Sequence, residues 1–132
     1  MWYENLQVVA DESAAAGLPF WAFALSTAHD PYPLPTIESL RLQMYTNLAY
    51  GASVLQYFTY WNPGTEIWNF HEAPINQDKV QSEAYGLVKA MNEEIQARAA
   101  VFVGSKPVFP AHTGETVPPH CRALGDVLVF HA

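Results

Sequence analysis

Basic residues are scarce in this chain. Six Lys and Arg stand against thirteen Asp and Glu, for a formal net charge of −7. The six (Arg41, Lys79, Lys89, Arg98, Lys106 and Arg122) are scattered and form no basic stripe. Nucleic acid and anionic membranes are therefore poor partners, because both are held through clustered cations. A neutral ligand such as a sugar is not excluded by charge. Cysteine is scarcer still: Cys121 is alone, so no internal disulfide can staple the chain. No apolar run reaches the ~18 residues of a membrane-spanning helix, so none is expected. The start, Met1-Trp2-Tyr3-Glu4-Asn5, lacks the basic stretch and apolar core of a signal peptide. Metal motifs are missing too. His29, His71, His112, His120 and His131 include no pair at i, i+4, and no Cys pair accompanies them. With neither a glycine-rich phosphate loop nor Gly-x-Ser-x-Gly, no metal or cofactor is expected.

What is plentiful is rings. Seven Phe, seven Tyr and four Trp make up 14% of the chain, as much as all its charged residues together. Charged residues alone average roughly 25% in soluble proteins. A chain so poor in charge and so rich in rings is expected to bury both faces of its strands, or to use rings for binding.

The pattern along the chain alternates. Residues 3–16 read as a helix, with Leu6, Val9 and Ala10 on one face and Gly17 as its C-terminal cap. Residues 18–26 are almost wholly apolar, which suits a strand buried on both faces, as parallel strands are. A loop with Pro31, Pro33 and Pro35 follows. Thr36 offers an N-cap to a helix over 36–50, in which Leu40, Met44 and Leu48 recur at helical spacing and Gly51 marks the end. Residues 53–61 read as a second strand, closed by the turn signal Asn62-Pro63-Gly64. The loop from there to about Gln81 is long, and long loops in compact domains are often functional. A third helix is expected over 82–102. Beyond it Pro107, Pro110, Gly114, Pro118, Pro119 and Gly125 punctuate residues 105–132, which read as the start of a β-rich segment.

Helix, strand, helix, strand, helix implies an α/β fold with parallel strands joined by crossovers. The expectation for residues 1–104 is a partial (β/α)8 TIM barrel: a closed one needs at least ~200 residues, and two strand–helix repeats supply a quarter of it. In such barrels the working residues sit at the C-terminal ends of the strands. That rule selects His29 and Asp30 after the first strand, and Tyr60, Trp61 and Asn62 after the second. Glu66, Trp68, His71 and Glu72 follow in the long loop. Trp61 either lays its indole face on the C–H face of a sugar ring or plugs the mouth of the core. Tyr57 and Tyr60 point to opposite faces, so one of them can join it. His29 and Asp30 read either as substrate-contacting groups or as a loop His and an Asp capping a turn before Pro31. Asp30 and Glu66 are the candidate catalytic carboxylates; His71 and Glu72 read as solvated.

These residues resemble a known family. The run Leu40-Arg41-Leu42-Gln43-Met44-Tyr45-Thr46-Asn47-Leu48-Ala49-Tyr50-Gly51-Ala52, followed by Gln56-Tyr57-Phe58-Thr59-Tyr60-Trp61, is similar to the seventh helix and eighth strand of clan A (β/α)8 glycoside hydrolases. Bacterial β-galactosidase-like enzymes of family forty-two and their gut Bacteroides relatives are the nearest in pattern. Their last strand often reads Tyr-Phe-x-x-Trp, and its Trp helps line the sugar subsite. The resemblance covers residues 1–112 and implies that the chain holds strands seven and eight, the closing helix, and Trp61 as a carbohydrate platform. The compartment stays open, a periplasmic or secreted parent being one reading. Two departures matter. Clan A carries its nucleophile, a Glu, at the end of strand seven, where this chain has Leu25-Ser26-Thr27. The acid/base of strand four would lie upstream of Met1. Two carboxylates roughly 5–9.5 Å apart are required for hydrolysis, so the expectation is a glycoside hydrolase-like fragment that binds carbohydrate and is inactive alone.

Two rival expectations stand beside it. Two apolar parallel strands leave long unpaired edges, which natural proteins avoid. The partner covering them is then either a second copy, making a homo-oligomeric assembly module, or the missing N-terminal part of the same barrel. Alternatively, the C-terminal strands pair with the two apolar strands in a complete small α+β domain.

Overall fold

The computed structural model describes residues 2–105. The β-rich segment expected beyond Ser105, and its pairing with the apolar strands, lie outside the described residues.

Local chemistry sets the element ends. Helix α1 (Trp2–Ala16) buries Leu6 and Ala10, one turn apart on one face. It stops where Gly17 turns left-handed (φ 65°). Gly17 N–H donates to Ala14 O at 3.1 Å and Leu18 N–H to Ser13 O at 2.9 Å. This paired closure needs a left-handed residue, which glycine supplies without a Cβ penalty. Strand β1 (Trp21–Leu25) follows. Helix α2 (Ile37–Ala49) opens on a reciprocal capping box. Thr36 Oγ1 accepts from Ser39 N–H at 3.2 Å, and Ser39 Oγ accepts from Thr36 N–H at 3.0 Å. α2 ends with the same closure as α1: Gly51 N–H to Leu48 O and Ala52 N–H to Asn47 O. Strand β2 (Val54–Phe58) leads through the long loop to helix α3 (Glu83–Phe102), where Ser82 Oγ accepts from Ala84 N–H at 3.1 Å.

Both strands are shorter than the apolar runs that announce them. β1 begins after Pro19, which has no N–H to give a ladder. Past Leu25, Ser26 N–H still donates to Phe58 O at 2.8 Å. β2 ends at Phe58, so Tyr60 and Trp61 lie beyond the strand. They are engaged by the loop instead: Ile75 N–H donates to Tyr60 O at 2.9 Å and Asn62 N–H to Ile75 O at 2.8 Å.

The strands pair in parallel, Trp21 opposite Val54 through Leu25 opposite Phe58, with α2 as the crossover that parallel neighbours require. The architecture is mixed α/β: three helices and one two-stranded parallel sheet among the described residues. These residues form an open sheet, not a closed barrel.

The sheet has two unlike faces. Ala22, Ala24, Leu55 and Tyr57 share one, since side chains alternate along a strand. Ala24 packs with Leu40, Met44 and Met91 in the core, joined by Ile37, Leu87, Val88 and Ile95. The other face carries Trp21, Phe23, Leu25, Val54, Gln56 and Phe58. Trp21 is 63% exposed and Phe23 58%.

α2 also satisfies β1's outer edge, the one turned away from β2. Leu25 N–H donates to Gln43 Oε1 at 2.8 Å, and Asn47 Nδ2 donates to Phe23 O at 3.1 Å. Two amide side chains one turn apart thus occupy the ladder positions of a third strand. α2 and α3 are tied by Glu94, which accepts from Arg41 Nη2 at 2.9 Å and from the Tyr45 hydroxyl at 3.0 Å. Those two contacts hold the Glu94 carboxyl below its ordinary range.

Candidate functional site

The C-terminal ends of β1 and β2 lie side by side, and the long loop folds back over them. β1 runs into Ser26 and Thr27, both fully buried. Their hydroxyls are engaged: Ser26 Oγ donates to Thr59 O at 3.2 Å and Thr27 Oγ1 to His71 O at 3.0 Å. Neither is presented to a ligand, and neither is a carboxylate.

His71, expected to be solvated, anchors the loop through its backbone. Ala28 and His71 exchange two backbone hydrogen bonds, each 3.0 Å. Asn69 and Glu72 flank it at φ 51° and 52°. Asn tolerates this left-handed region better than Glu does, so Glu72 marks a turn enforced by tertiary contacts. Nothing in the sequence pattern signals this docking.

His29 and Asp30 separate in role. His29 is half-buried in a ring cluster, with ring centroids 4.8 Å from Tyr32, 4.7 Å from Phe70 and 6.3 Å from Phe58. Asp30 is exposed, and its backbone N–H donates to Trp68 O at 3.1 Å. That bond brings Asp30 beside Trp68, a pairing the sequence does not reveal. Glu66 is exposed in the loop.

Across β2, Tyr60 and Trp61 are 62% and 53% exposed, and Trp68 is exposed as well. Their rings are not spent in the core. Tyr57 takes the opposite course: it packs toward the helices, and its hydroxyl donates to Asn92 Oδ1 at 2.9 Å. Burial pushes its phenol up to about 12. Asn62 is buried, and its Oδ1 accepts from Gly64 N–H at 2.8 Å in a local Asx turn. Trp61 and His29 make no ring contact with each other among the described residues.

Two carboxylates share one small cleft. Glu72 and Glu83 both line a pocket of about 320 Å3 with Leu34 and Leu87. The sequence gives no reason to pair a loop Glu with one in the first turn of α3. Among the described residues no group of three or more His, Cys, Asp or Glu could hold a metal ion.

Exposed rings at the ends of parallel strands, with hydroxyls in place of a carboxylate on β1, are the features to compare with known proteins. No known family and no curated protein matches the sequence. Among solved structures, a polyextremophilic β-galactosidase from the Antarctic haloarchaeon Halorubrum lacusprofundi is similar, with a TM-score of 0.52 and 22% identity. The match covers 79% of this chain and 16% of the β-galactosidase. At that identity the likeness speaks for the fold alone: this chain shares a mixed α/β arrangement with part of a glycoside hydrolase.

Proposed function

We propose that this chain is part of a glycoside hydrolase-like (β/α)8 barrel and supplies a carbohydrate-contacting surface without a hydrolytic centre of its own. The observation that carries the reading is the trio Tyr60, Trp61 and Trp68, left exposed just beyond two parallel strands. An exposed indole offers a flat apolar face to sugar C–H groups and an N–H to a hydroxyl. The likeness to a β-galactosidase supports the fold part; a family forty-two-like parent of gut Bacteroides type is part of the proposal. Ser26 and Thr27 support the lack of hydrolysis, because β1 ends in buried, engaged hydroxyls. In this reading Asp30 and Asn62 border the surface, and His29 supports it by packing against Phe70 of the overlying loop.

Calorimetry with galactosides and other oligosaccharides tests binding, and nitrophenyl glycosides test turnover. The expected result is millimolar binding that Trp61→Ala weakens about tenfold, with no turnover. An absence of binding, or a Trp61→Ala variant indistinguishable from the parent, would refute the carbohydrate surface.

A second reading draws on the open sheet face. Exposed Trp21, Phe23 and Phe58 form the kind of apolar patch that marks association. Here two copies cover each other's faces in a homodimer. Light scattering across concentration should then show a dimer, and a monomer at high concentration counts against it.

A further inference from the structure

We draw no further inference here: the strongest candidate, the apolar cavity of about 700 Å3 along the open face of the β1–β2 sheet, is part of an unpartnered sheet face, and nothing in the structure shows what covers it.

Discussion

The face of the β1–β2 sheet toward α2 and α3 is built from Ala22, Ala24, Leu55 and Tyr57, whereas the opposite face is built from Trp21, Phe23, Leu25, Val54, Gln56 and Phe58. Small alanines on the first let α2 approach closely, and Leu40, Met44 and Met91 are buried there. The large rings are on the second, and they stay exposed. An unbroken apolar run predicts a strand buried on both faces; the described residues cover one. Apolar content therefore reports how much surface a strand has to bury, while the cover depends on which elements are at hand. Even β1's outer edge follows this logic, since two amides of α2 stand where another strand would bond.

The largest expected effect separates the two faces directly. Leu40→Ala or Met91→Ala should cost about 2–5 kcal/mol, because each empties a fully buried site. Phe23→Ala should stay within about 0.5 kcal/mol, as a surface change does. Urea unfolding of the three variants provides the comparison, and equal costs would break it. Next comes the edge. Asn47→Leu leaves Phe23 O without its donor and should destabilise by about 1–3 kcal/mol. A near-neutral result would mean that the edge is satisfied in another way. Thr36→Ala, which removes one half of the capping box, should cost about 1 kcal/mol, read from the thermal midpoint.

A further effect is titrational. The Tyr57 phenol is raised from 10 to about 12 in the fold. Above the unfolded value the unfolded chain releases this proton first, so its contribution is complete below pH 10 and is lost as pH climbs through 12. Stability of the parent should therefore fall across that window. Tyr57→Phe should flatten that part of the pH dependence, and an unchanged slope would show that Tyr57 is not buried against α3.

Much of this was legible because it is local. Gly17, Gly51, Thr36 and Ser82 mark helix ends through backbone geometry and short-range hydrogen bonds, which a sequence displays openly. Parallel pairing followed from the alternation of elements. The strand ends were less legible: Tyr60 and Trp61 continue the apolar pattern of β2, but their backbone is claimed by Ile75 across the loop. The Ala28–His71 bridge and the amide-capped edge depend on residues far apart in the chain, and no local signal announces them. Within the candidate site, the exposed rings were readable from the strand-end position. The turn at Asn62-Pro63-Gly64 was readable too, but the burial of Asn62 was not, because its backbone is held by Ile75 far along the loop.

The uncovered face is the claim on which the rest depends, and Trp21, on its first rung, reports on it. With the other three tryptophans replaced by Phe, acrylamide quenching of Trp21 at low protein concentration measures its contact with water. The account predicts quenching close to that of a free indole side chain. A shielded Trp21, quenched only after denaturant is added, would contradict it.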